Sequence, residues 1–175
     1  MRFTIKDIAT IGVMTALVEA VKWALQSVPN VELVTLLFMV FAVTYGLKTC
    51  VSAMIFTAVE TVIWGPHVWV IMYLYIWPLL ILIAYLMGKK NVPDWGFVFL
   101  GGFYGLFFGM ICAVPYLFLG GIKVAVGWWI AGIPFDILHC ISNTLLCLVL
   151  FKPLRHALTR IIGTPYKGGL ADEDN

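Results

Sequence analysis

The stretch from residue 68 to residue 88, Val68-Trp-Val-Ile-Met-Tyr-Leu-Tyr-Ile-Trp-Pro-Leu-Leu-Ile-Leu-Ile-Ala-Tyr-Leu-Met-Gly88, carries no charged residue. An α-helix rises 1.5 Å per residue, so roughly 20 apolar residues cross the hydrocarbon core of a bilayer. The segment is continuously apolar, whereas a strand of a membrane barrel alternates with period two. It therefore reads as a membrane-spanning helix.

The same pattern extends in both directions. Breaks at Pro29-Asn30, Gly46-Leu47-Lys48, Gly65-Pro66-His67, Lys89 to Asp94 and Gly120-Gly121 divide the chain into six apolar segments, at about 5–27, 33–46, 48–64, 68–88, 95–119 and 124–151. The 175 residues are 62% hydrophobic and 11% charged, with a mean hydropathy of +1.01. A soluble globular chain is about half apolar and about a quarter charged, so that class is excluded. The expected fold class is an all-α integral membrane protein, six transmembrane helices in one compact bundle over residues 1–155, followed by a cytoplasmic tail, 156–175.

The first segment lacks a small-residue cleavage site at its far end, where Gln26, Ser27 and Pro29 stand, so it reads as a retained span. Arg2, Lys6, Lys48, Lys89, Lys90, Lys152, Arg155, Arg160 and Lys167 fall on one side of the six spans. Lys123 alone falls on the other, and Lys22 lies inside a helix. The positive-inside rule then predicts that both termini are cytoplasmic. A net charge of +2 and the absence of a long basic run argue against a nucleic-acid partner. Cys50, Cys112, Cys140 and Cys147 lie in apolar stretches without CxxC spacing, which indicates neither a disulfide framework nor a zinc site.

The polar residues within the spans converge. Glu19, Lys22, Trp23 and Gln26 share one helical face at i, i+3, i+4 and i+7. Glu60 and Trp64 end the third segment, Trp69, Tyr73 and Trp77 form a stripe at the start of the fourth, and Trp128, Trp129, Asp136, His139 and Asn143 follow in the sixth. An ionisable group in hydrocarbon is costly and usually faces the bundle interior or a wet cavity, where it carries function. Glu19, Trp23, Glu60, Trp64, Trp69, Tyr73, Trp128, Asp136 and His139 are therefore the candidate substrate-binding residues. Glu19 and Lys22 read equally as a self-neutralising structural pair, and helix-end tryptophans such as Trp69 and Trp95 as interface anchors. Glu60 and Asp136 have no obvious local partner. Trp128 and Trp129 point about 100° apart, so at most one faces a given pocket. Pro134, two residues before Asp136, predicts a break or a kink that frees carbonyls beside it.

Two stripes of small residues recur every four positions: Gly12, Ala16, Ala20 and Ala24 in the first segment, and Gly101, Gly105 and Gly109 in the fifth. Such stripes let another helix backbone approach closely, within the bundle or from a partner. Enzyme signatures are poor. Asp136-Ile137-Leu138-His139 lacks a second ligand pair, and Gly88-Lys89-Lys90 lacks the rest of a phosphate loop. No catalytic residue, metal or cofactor is expected.

The Ala16-xxx-Ala20-xxx-Ala24 stripe, the Pro29-Asn30-Val31-Glu32-Leu33-Val34 segment and the Gly132-Ile133-Pro134-Phe135-Asp136 segment resemble the substrate-binding S-components of energy-coupling factor (ECF) vitamin transporters of prokaryotes. The resemblance covers residues 1 to about 155. It implies a multi-pass protein of the prokaryotic cell membrane, docked through Gly12, Ala16, Ala20 and Ala24 onto a transmembrane coupling subunit driven by two ATP-binding cassette ATPases. The pocket would lie in the outer halves of the later helices, with Trp64, Trp69, Tyr73, Trp128, Asp136 and His139 matching it and Glu60 nearby. Glu19 and Lys22 depart from the plainer first helix usual in that family. Acidic acceptors Glu60, Asp136 and Glu32 beside many aromatics, with no arginine within the helices, suit a flat nitrogen heterocycle, neutral or cationic. Two other readings compete: a small proton- or sodium-coupled secondary transporter, and a membrane scaffold without a small-molecule ligand.

Overall fold

The computed structural model describes residues 3–29 and 31–162, and among them every regular element is helical. In chain order these are α1 (Ile5–Leu25), α2 (Val34–Tyr45), α3 (Thr49–Trp64), α4 (Val68–Lys89), α5 (Asp94–Leu106), α6 (Phe108–Cys112) and α7 (Val114–Ile162), with one 3-10 turn at Gly46–Lys48. Four helical stretches are long and apolar enough to cross a membrane: Ile5–Leu25, Val34–Trp64, Val68–Lys89 and Val114–Ile161. Two of the four contain a glycine in the left-handed region, Gly46 at φ 73° and Gly121 at φ 75°. A side chain is strained there, so each marks a place where a glycine lets the chain leave its helix. Arg2 and the expected tail beyond residue 162 lie outside the described residues, and residues 156–162 continue α7.

Side-chain pairing sets the relative directions of the helices. Asp7 of α1 pairs with Lys48 at 2.7 Å, Thr15 lies 2.9 Å from Ser52, and Lys22 pairs with Glu60, so α1 and α3 run parallel. Between them α2 runs the other way, its last residue donating from the Tyr45 hydroxyl to Asp7 at 2.6 Å. Phe97 stacks on Phe151, Gly105 meets the backbone of His139, and Asp94 pairs with Arg155 at 2.8 Å. The part of α7 after Gly121 is thus antiparallel to α5, and the chain reverses at Gly120-Gly121.

Local chemistry fixes the helix ends. Thr4 and Asp7 form a reciprocal capping box at the start of α1. The Glu32 carboxylate accepts the Thr35 N–H at 2.8 Å, satisfying one of the open donors at the start of α2. Residues Val34–Ala42 are all buried, so α2 is enclosed on every side by α1, α3, α4 and α7. Around it Phe38, Phe56, Tyr73, Trp77 and Phe108 form a continuous aromatic cluster with ring centroids 5.4–6.3 Å apart. These separations suit offset and edge-to-face contact.

The segment expected as one helix over 95–119 is interrupted twice, at Phe107 and at Ala113. Pro115 has no N–H to offer the Ile111 carbonyl four residues earlier, and the Tyr75 hydroxyl of α4 donates to that carbonyl at 2.7 Å instead. Pro134 produces no break, since the only non-helical residue inside α7 is Gly121. Proline is tolerated inside a helix when the freed groups find other company, as membrane helices often allow.

Candidate functional site

At the end of the molecule that holds the Lys22–Glu60 pair, two chambers lie side by side. The first, about 430 Å³, is bounded by α1, α3 and the start of α4, through Lys22, Trp23, Glu60, Trp64, Trp69 and Tyr73. The second, about 480 Å³, is bounded by α4, α6 and α7, through Trp69, Tyr73, Phe108, Trp128, Asp136 and His139. Trp69 and Tyr73, one helical turn apart on α4, line both. Volumes of this order suit small organic ligands.

In the first chamber the Lys22 ammonium pairs with Glu60 Oε2 and lies 5.7 Å from the Phe56 ring centroid and 5.9 Å from that of Tyr73. Cation–π attraction adds to the ion pair at such distances. Glu60 is only 5% exposed, and its Oε1 has no hydrogen-bond partner. Trp23 and Trp64 stack at 6.0 Å along one side. The close ion pair of Lys22 is with Glu60 of α3, while Glu19, the partner that spacing along α1 offers, acts on Lys22 only at longer range. Glu19 lines neither chamber. It is half-buried within the field of Lys22, and both its carboxylate oxygens lack a hydrogen-bond partner among the described residues.

Asp136 dominates the second chamber. The interruption at Phe107 leaves the Gly109 N–H without a carbonyl four residues back in regular helix, and Asp136 Oδ1 accepts it at 2.9 Å. Glycine is required at 109, since a Cβ would fall 2.5 Å from Asp136 Oδ2. Asp136 is 4% exposed and its Oδ2 has no hydrogen-bond partner. His139 packs its ring on Phe108 at 5.0 Å and sets Nε2 3.3 Å from Glu32 Oε1, an ion-pair distance without hydrogen-bond alignment. Burial pushes the Glu32 carboxyl up. The neighbouring imidazole and the Thr35 donors outweigh it, leaving its pKa below the ordinary carboxylate value. Trp128 faces the chamber and stacks on Tyr116 at 4.9 Å, while Trp129 does not line it.

Eight of the nine sequence-predicted residues therefore meet around two adjoining chambers, with Glu19 behind the wall. Gln26, on the polar face of the first helix, also lines the first chamber, whereas His67 there and Met72, Phe108 and Cys112 in the second stood out from nothing in the residue pattern. The Gly109 N–H gave no signal either, because the interruption that frees it leaves no mark in residue type. Among the described residues no three His, Cys, Asp or Glu side chains converge to hold a metal ion.

The small stripe of α1 lies elsewhere. Gly12, Ala16, Ala20 and Ala24 are all exposed, and a Cβ at Gly12 would meet nothing within 4 Å. The glycine stripe, with Gly101 and Gly105 in α5 and Gly109 in α6, is instead filled from within: Gly101 faces Cys147, Gly105 faces the His139 backbone, and Gly109 faces the Asp136 carboxylate. Fold and cavities together define an all-helical protein with membrane-compatible helices and an acidic, aromatic double chamber. No family model, curated protein or solved structure matches the chain.

Proposed function

We propose that the chain is the high-affinity substrate-binding subunit of an ATP-driven importer of the ECF type, in the cell membrane of a prokaryote. In this reading it crosses the membrane six times, with α5, α6 and residues 114–120 together forming the fifth crossing. Both termini are cytoplasmic, and the two chambers open outward. The supporting observation is the division of labour on α1: its far end supplies Lys22 and Trp23 to a chamber, while Gly12, Ala16, Ala20 and Ala24 stay uncovered on its outer face. A close-packing stripe left bare suits a partner helix. That partner is the coupling subunit, which two ATPases drive.

The cargo in this reading is a small, vitamin-like nitrogen heterocycle held between aromatic walls, with a ring N–H directed at a buried carboxylate. Native mass spectrometry of the tagged chain, extracted from its own host in mild detergent, tests the assignment. Recovery with one membrane subunit, two ATPases and a small-molecule mass supports it. The unpartnered Glu19 carboxylate favours one alternative, a proton- or sodium-coupled carrier. Uptake that persists in cells lacking the coupling subunit would establish that alternative and remove the first reading.

A further inference from the structure

Each chamber contains one carboxylate that is more than nine-tenths buried and only half-satisfied. Asp136 gives Oδ1 to the Gly109 N–H and keeps Oδ2 unpartnered, and Glu60 gives Oε2 to Lys22 and keeps Oε1 unpartnered. The chambers touch along Trp69 and Tyr73. We propose that they are the two halves of one binding site, whose occupant is an elongated organic cation with a donor at each end. One donor meets Asp136 Oδ2, the other meets Glu60 Oε1, and the body crosses the faces of Trp69 and Tyr73.

The charges around the chambers favour that class of ligand. Lys22 is engaged by Glu60, and His139 sets its Nε2 against Glu32, so among the described residues Asp136 has no ion-pair partner of its own. Buried negative charge without a counter-ion is costly, and a cationic ligand relieves it. An anionic ligand would need a free cation in the lining. The lining contains no arginine, its one lysine is already paired, and its two imidazoles stand against other groups, His139 against Glu32 and His67 edge-on to Trp69. Indole and phenol faces at the divide attract a cation that passes over them. This inference rests on the chambers being a ligand site, as the importer reading holds, and it adds the length and charge of the ligand.

The test is calorimetric titration of the full chain in detergent with three probe series. The first is a benzene ring bearing two aminoalkyl arms of increasing length, the second lacks one amino group, and the third has carboxylates in place of both amines. The expected result is a best arm length at which the diamine binds about tenfold or more tightly than its monoamine, a difference of about 1.4 kcal/mol, with no binding of the dicarboxylates. Asp136→Asn and the double variant Lys22→Met/Glu60→Gln should each reduce the diamine to monoamine affinity. The double variant is used because Glu60→Gln alone strands the Lys22 ammonium, whereas removing both partners of a buried pair is often tolerated.

Equal affinity of diamine and monoamine at every length would overturn the bipartite site. Dicarboxylates that bind as well as diamines would overturn the charge class. Unchanged diamine affinity in a folded Asp136→Asn variant would reduce Asp136 to a cap for α6. The same preparation separates this inference from the importer reading. If the coupling complex is recovered but diamines fail, the bipartite site falls alone. If diamines bind and no complex forms, the importer assignment falls.

Discussion

Gly105 has little freedom to change. A Cβ there would lie 2.8 Å from the carbonyl carbon and oxygen of His139 and 2.9 Å from the Cys140 nitrogen, all backbone atoms of α7. Backbone cannot turn aside as a side chain can, so Gly105→Ala should cost about 1–3 kcal/mol of stability by overpacking. Gly12→Ala, with open space around it, should be neutral or slightly stabilising through helix propensity. Thermal melting of both variants in detergent checks the contrast, and equal melting temperatures would disprove so tight an α5–α7 contact. Glu32 carries a pH prediction. Its carboxyl titrates below the ordinary value when folded, so its contribution to stability is present above the unfolded pKa and is lost as pH falls through the folded one. Acidification through and below the usual carboxylate range should lower the melting temperature, with a shallower dependence in Glu32→Gln.

At the scale of elements, the doubly interrupted run from α5 into α7 makes its own prediction. Tyr75 takes over the carbonyl of Ile111 that Pro115 cannot serve. Tyr75→Phe should leave that carbonyl unsatisfied at about 1–3 kcal/mol. In a Pro115→Ala background the restored N–H should remove most of that cost, and a double-mutant cycle with no coupling would show that the two residues act independently. Most helix positions were legible in the sequence, because apolar runs and Gly, Pro and Asn breaks carry that information. The starts and ends of α1 to α4 lie within two residues of the expected boundaries. The interruption at Phe107 was not legible, since Leu106-Phe107-Phe108 reads like any apolar turn and the break depends on an Asp136 acceptor reaching in from α7. Pro134 misled in the opposite direction, because a proline signals lost hydrogen bonding but not whether a helix tolerates the loss. In the site, the spacing of Trp23, Glu60, Trp64, Trp69 and Asp136 indicated a common end of the molecule. Which acid would make the close pair with Lys22 depended on the packing of α1 against α3, and spacing along α1 alone could point only to Glu19.

For the whole molecule, the exposed stripe and the chambers should be separable by mutation. Ala16→Leu and Ala20→Leu add bulk to an exposed face of α1. If the importer reading holds, both should leave melting and ligand affinity unchanged while reducing recovery of partner subunits in a pull-down from membranes. Lost ligand binding in those variants would show that the stripe serves the chain's own packing. Asp136→Asn should do the reverse, lowering ligand affinity while partners are still recovered. The opposite end of the molecule is fastened by Asp7, which accepts from Thr4, Tyr45 and Lys48 at once, and by Asp94–Arg155. Both chambers lie at the far end from these links, where Lys22–Glu60 and Gly109–Asp136 hold their walls.

The enclosure of α2 bears on how the chain is made. At 12 residues it is about 18 Å long, well short of the roughly 30 Å of hydrocarbon in a bilayer, yet it is apolar on all sides. If the chain spans a membrane as proposed, a nascent chain that has delivered only α1 to α3 holds this short helix against lipid on the faces that α4 and α7 later cover. Lipid is as apolar as those neighbours, so α2 waits there without penalty to its side chains, and close packing draws it inward once the later helices arrive. The helix at the centre of the described residues is therefore made before α4 and α7 and is enclosed only after both, so its burial waits on α7.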